Sequence, residues 1–209
     1  MKALRTFWQA IRDLYEELML LSGVSVLWWL SVLLIVPGPP ATAGLYYLAH
    51  RIVHEQRVEF AFFWEEVKRQ FGKSWQLVGV DLLGLLIIGT NFNFYLRLDG
   101  PLRYVAILWI YLFLLWVATQ IYLFPLLFEM EEPRLVWLLR NAVLLTLFRP
   151  GYTLLLLILL LAVTLLSSAL FILMIIAWPA LIALVSARAV TTVIAELEAR
   201  RTTPPKRRP

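Results

Sequence analysis

Apolar residues run in long blocks along this chain, and the longest, residues 152–178, has 27 consecutive positions without Asp, Glu, Lys, Arg, His, Gly or Pro. A hydrocarbon core about 30 Å thick takes roughly 20 helical residues to cross. In lipid a single helix satisfies its own backbone, so such a block predicts a transmembrane helix. Residues 19–36, 77–96 and 104–128 carry the same pattern with few interruptions. The expectation is an all-α polytopic membrane protein with four transmembrane helices.

Shorter segments alternate with these spans. In residues 3–18, Leu4, Phe7, Trp8, Ile11, Leu14, Tyr15 and Leu18 recur at spacings of three and four, the pattern of a helix with one apolar face. Pro37, Gly38, Pro39 and Pro40 stop the first span, because proline removes a backbone donor and restricts the residue before it. Residues 41–54 and 60–71, the second with Phe60, Phe63, Trp64, Val67 and Phe71 on one face, read as interfacial or re-entrant helices, as does 135–148. Pro125 is expected to bend the third span, and Pro179 to kink or end the fourth. A last helix over 180–200 carries small residues at Ala180, Ala183, Ala187 and Thr191, which let helix backbones approach closely. It is not counted as a span, since Arg188 would be costly near mid-membrane.

A shift of 77 residues aligns Glu55 with Glu132, Arg57 with Arg134, Phe71 with Phe148 and Trp75 with Tyr152. This points to a tandem duplication in which both copies face the same way. Residues 1–199 form one transmembrane domain. Residues 200–209, with Arg200, Arg201, Lys206, Arg207 and Arg208, read as a disordered basic tail suited to anionic lipid. Eleven Lys and Arg on the side of the termini, against eight on the other, place the termini in the cytoplasm under this topology.

Composition agrees with the pattern. Of 209 residues 61% are hydrophobic and 16% charged, against about 25% charged in soluble domains. The net charge of +5 is spread over short connections and the tail, which fits lipid head groups and not a nucleic-acid partner. There is no cysteine, which excludes disulfides, thiolate metal sites and thiol nucleophiles. Asp13, Glu16 and Glu17 precede the first apolar run, so no signal peptide is expected.

Few residues offer chemistry. Asp81 lies inside the second span, and intramembrane carboxylates are functional candidates by default. With Asn91, Gln120 and Arg188 it forms a candidate polar path or packing site; Arg188 is a candidate partner for Asp81 or for a lipid phosphate. His50 and His54 share a helix face and, with Glu55 and Arg57, make a candidate interfacial site. The zincin pattern is missing around them, so no metal is expected. No phosphate loop, serine elbow or dinucleotide fingerprint occurs, and no cofactor is expected.

Pro40-Ala41-Thr42-Ala43 after the first span, followed by Phe63-Trp64, Lys68, Arg69 and Phe71, resembles the YesL-like family of bacterial integral membrane proteins. The resemblance implies a small polytopic protein of the bacterial plasma membrane whose gene often lies beside carbohydrate ABC-importer and sensor genes. The family's activity is not established, so the resemblance carries over no catalytic residue. The expected function is a non-enzymatic accessory or regulatory component, with a membrane protein partner or a second copy of itself. Two readings compete with it: a small transporter or channel using the polar path, and a lipid-handling enzyme with its site near His50 and Glu55.

Overall fold

A computed structural model describes residues 2–131 and 133–202. The described residues contain ten α-helices and no strand: α1 Lys2–Glu16, α2 Leu18–Leu33, α3 Gly38–Val53, α4 Phe60–Arg69, α5 Phe71–Leu96, α6 Val105–Glu129, α7 Leu135–Phe148, α8 Pro150–Ala169, α9 Phe171–Ile176 and α10 Trp178–Thr202. A 3₁₀ turn, Pro101–Tyr104, leads into α6. Among the described residues four helices are long and apolar enough to cross a membrane: α5, α6 with its 3₁₀ turn, α8 and α10. The chain is an all-α polytopic membrane protein.

The number of such helices matches the expectation, but their identities differ. Residues 19–36 do not form a straight span. α2 has 16 residues, about 24 Å of helix, and α1 meets it at 95°. Ile35 then takes a left-handed backbone with φ 64°, and α3 folds back against α2, with Trp28 Nε1 donating to Thr42 Oγ1 at 2.9 Å. The run 152–178 is also not one helix. α8 ends at Ala169, Leu170 leaves helical geometry at φ −112° and ψ 81°, and short α9 turns to meet α2 through Trp29 Nε1 on the Met174 carbonyl at 3.1 Å. α8 already has 20 residues, enough for a bilayer, so the remaining apolar residues are free to pack elsewhere.

Pro179 follows a helix end, as expected: α9 stops at Ile176 and α10 begins at Trp178. It stands in the first turn of α10, where a missing N–H costs nothing because the helix start has unpaired donors anyway. α10 is the centre of the fold. Ala180, Ala183, Leu184, Val185, Ala189 and Val190 are fully buried, and α1, α3 and α6 all pack on it. A helix apolar around its whole circumference is a buried one. α6 runs on through Pro125 to Glu129. α10 passes the expected boundary at 199/200 and ends at Thr202; the remainder of the basic tail, residues 203–209, lies outside the described residues.

α3–α4–α5 and the second half of α6 with α7 and α8 repeat one order of elements: helix, loop, short helix, long helix. α3 ends at Val53 and α6 at Glu129, 76 residues on; α4 starts at Phe60 and α7 at Leu135, 75 on. α3 and α6 run in the same direction, since Tyr46 stacks on Phe124 and Tyr47 meets Phe128 further along both.

α5 packs against α6 through Gly84. A Cβ placed there would lie 2.4 Å from Cζ2 of the Trp116 ring, whereas one on Gly79 would meet nothing within 4 Å. Gly84→Ala is expected to lower the melting temperature in detergent, since overpacking costs about 1–3 kcal/mol. Gly79→Ala, which only improves helix propensity by up to about 1 kcal/mol, should leave it unchanged or raise it. Circular dichroism melts of both variants in one detergent check the pair.

Candidate functional site

The polar residues gather in three separate places. The first lies between α5 and α6. Asp81 Oδ1 accepts from Trp116 Nε1 at 2.7 Å and from Gln120 Nε2 at 2.5 Å. Asp81 and Gln120 thus meet, as the packing reading expects, and Trp116 completes the contact. Asn91 stands apart, donating to the Ile87 carbonyl of its own helix at 2.8 Å. In lipid neither donor on Asp81 has water to fall back on. Asp81→Leu leaves both unpaired and should destabilise by about 1–3 kcal/mol per donor. Asp81→Asn keeps an acceptor oxygen and should stay within about 1 kcal/mol of wild type. Denaturation in detergent separates the two outcomes.

The second place joins α1 to α10. Arg188 does not reach Asp81; its guanidinium clasps Asp13 from two sides, with Nε on Oδ2 and Nη2 on Oδ1 at 2.6 Å. The Asp13 side chain is 9% exposed and that of Arg188 22%. Arg188 therefore spends its charge inside the protein, and the helix that carries it avoids an unpaired cation. Glu55, Arg57 and Arg12 line a polar cavity of about 490 Å³ beside this pair. Removing one partner of a buried pair typically costs about 3–5 kcal/mol. Arg188→Ala should approach that loss, and Asp13→Asn combined with Arg188→Gln should recover a large part of it. Thermal unfolding of the single and double variants measures this.

The third place is where α3 and α6 end. His50 and His54 occupy one face of α3 four residues apart, with ring centroids 4.2 Å from each other. Glu129, the last residue of α6, puts Oε1 3.3 Å from His50 Nδ1 and 3.6 Å from His54 Nε2. These are the three His, Asp or Glu side chains among the described residues whose donor atoms gather within 4.8 Å of one another.

Glu55 does not take part in this group. His54 caps α3, and Glu55 follows it in left-handed geometry at φ 56°. The Glu55 N–H bonds to the Ile52 carbonyl and the Gln56 N–H to that of Arg51, the Schellman pattern of a helix C-terminus. That turn carries the chain away from the histidines. Arg57 pairs instead with Glu59 at 2.9 Å. Of the four expected interfacial residues the structure unites the two histidines, and the missing carboxylate comes from a helix 75 positions further on. Trp116, Asp13 and Glu129 were not singled out by the sequence pattern. Glu129 alone left a signal, since the 77-residue shift sets it opposite Ile52, between the histidines.

The class these features define is an integral membrane helix bundle whose polar groups are mostly paired within it. A family model described as "Protein of unknown function, DUF624" matches residues 21–92, from α2 through most of α5. No curated protein gives a match to the chain. No solved structure gives one either.

Proposed function

We propose that the chain is a non-enzymatic accessory or regulatory protein of the bacterial plasma membrane, acting by binding a membrane protein partner. The observation that carries this is α5. It has 26 residues, only Ser74 and Leu77 of them buried, and Leu82, Leu83, Leu86 and Ile87 stand exposed. Gly72, Gly79 and Gly89 have open space where a Cβ would be, so another helix can come close along it. The resemblance to YesL-like proteins supplies the partner class, a carbohydrate ABC importer or its sensor.

The transporter reading loses support from the arrangement. Asp81 and Gln120 bond to each other, Asn91 to its own helix and Arg188 to Asp13, so the four polar residues do not line one path.

Charge supports a cytoplasmic setting for the termini. With α5, α6, α8 and α10 crossing and the bent α1–α2 pair turning back, Arg97 and Arg103 lie on one side. Excluding Arg188 within α10, the other twelve Lys and Arg residues up to Arg200 lie on the opposite side. A bias that large makes the second side cytoplasmic by the positive-inside rule.

The test is affinity capture of the tagged full chain from native membranes grown on inducing sugar. An importer permease or sensor should co-purify with wild type, and Gly79→Leu together with Gly89→Leu should abolish capture without lowering the melting temperature. Recovery of the chain alone, or capture indifferent to both substitutions, overturns the proposal.

A further inference from the structure

We propose that His50, His54 and Glu129 bind one divalent transition-metal ion of the Zn²⁺ class, joining the end of α3 to the end of α6. The site stands on its own geometry and does not depend on the partner reading.

The first argument concerns protons. His54 Nδ1 lies 2.8 Å from the His50 carbonyl oxygen, which can only accept, so Nδ1 carries the hydrogen. In the neutral ring the other nitrogen, Nε2, is then a bare lone pair, and it is the atom that faces Glu129 Oε1 at 3.6 Å. A lone pair and a carboxylate oxygen repel unless a cation stands between them. That Nδ1–H to carbonyl bond is also the outer contact that commonly orients a histidine ligand on a metal.

The second argument is dimensional. Metal–ligand bonds of about 2.0–2.1 Å at tetrahedral angles put neighbouring ligand atoms about 3.3 Å apart. His50 Nδ1 and Glu129 Oε1 are 3.3 Å apart, His54 Nε2 and Glu129 Oε1 3.6 Å, and all three ligand atoms lie within 4.8 Å of one another, a group compact enough to converge on one ion. Two imidazoles and one carboxylate suit Zn²⁺ or its neighbours, and not Mg²⁺ or Ca²⁺, which prefer oxygen ligands throughout.

The third argument is the field. α3 ends at Val53 and α6 at Glu129, and both aim C-terminal, electronegative ends at the same spot, which favours a cation there. No basic residue lies in the last turn of α6. Arg69, on a cavity of about 350 Å³ that reaches His50, has its charge met by Glu66 at 2.8 Å. The side chains of His50 and Glu129 are 16% and 17% exposed and that of His54 35%. The open side near His54 admits the ion and leaves room for water as a fourth ligand.

The expectation of no metal rested on the missing zincin pattern around His50 and His54; the fold brings a carboxylate to them from Glu129 instead. The experiment uses the full chain in detergent, with its tag removed, stripped with chelator and titrated with Zn²⁺ by calorimetry. One ion per chain is expected. Losing a contact behind a ligand already weakens metal binding about 10–100-fold. His54→Ala, His50→Ala and Glu129→Gln should each therefore weaken it at least about 100-fold, and Mg²⁺ and Ca²⁺ should not compete. Zn²⁺ should also raise the melting temperature of wild type and of none of the variants.

No saturable binding, meaning that a proton alone bridges the groups, overturns the proposal. So does Zn²⁺ binding that survives all three substitutions, or equal competition by Ca²⁺. Should a variant not fold, Co²⁺ added to wild type decides: visible absorption of a nitrogen- and oxygen-ligated ion supports the site, and the spectrum of hydrated Co²⁺ removes it.

Discussion

Close van der Waals contact is the main attraction left to helices once lipid replaces water around them, and this chain concentrates it on α10. Ala180 and Ala183 are fully buried and Ala187 nearly so. Small side chains there let the backbones of α1, α3 and α6 approach, while Leu184, Val185 and Val190 fill the spaces between. The outside of the bundle follows the opposite rule. Leu83, Leu86, Ile107, Leu114, Ile158 and Leu161 stand exposed in numbers that water would not tolerate but hydrocarbon does. Because α3 and α6 lie on the same central helix and run in the same direction, their ends are delivered to one place. The histidine–glutamate group is a consequence of that packing.

Hydrogen bonds then fix which helix lies where. Trp28 joins α2 to α3, Trp29 joins α2 to α9, Trp75 ties α5 to the Val36 carbonyl, Trp116 joins α6 to α5, and Trp178 joins α10 to α8 through Thr164. An indole presents a wide apolar surface to its neighbours and one donor that lipid cannot satisfy, so it selects a partner with an acceptor at the right height. Interhelical bonds of this kind average about 0.6 kcal/mol each, which is small beside packing. They set register more than they hold the bundle together. Trp109 departs from the pattern: its indole nitrogen is buried without an acceptor, and nothing in the packing accounts for it.

Helical class and the helices α5, α6 and α7 were legible because their cues are local: long apolar runs and the Gly100–Pro101 turn. What stayed hidden depends on contacts between distant segments. Nothing near Leu170 marks a break; α8 ends there because α9 has a place against α2. Pro179 reads from the sequence as the kink or end of one helix; that it also opens the next, buried one shows only in the packing of Ala180, Ala183 and Leu184 behind it. Arg188 argued against α10 as a span while its partner was unknown, and Asp13, 175 positions earlier, removes the objection. Asp81 and Gln120 were legible as a pair of polar residues in neighbouring spans; Trp116, an aromatic among many, was not.

The repeated order of elements explains why the cluster of potential ligands found among the described residues lies where it does. If α3 and the second half of α6 are equivalent pieces, their C-termini are equivalent too, and a shared packing surface brings two electronegative helix ends together. Such a meeting is unfavourable on its own, because each end carries about half a negative charge in unpaired carbonyls. α6 aggravates it by finishing on Glu129 with no basic residue in its last turn. α3 answers with His50 and His54, side chains that accept either a proton or a metal ion. Arg51 between them turns away, its guanidinium lying over Phe62 and its Nε bonded to the Arg57 carbonyl at 2.9 Å. In the proposed site the charge that joins these ends comes from solution, and the joint between the two halves of the bundle then depends on the ion that supplies it.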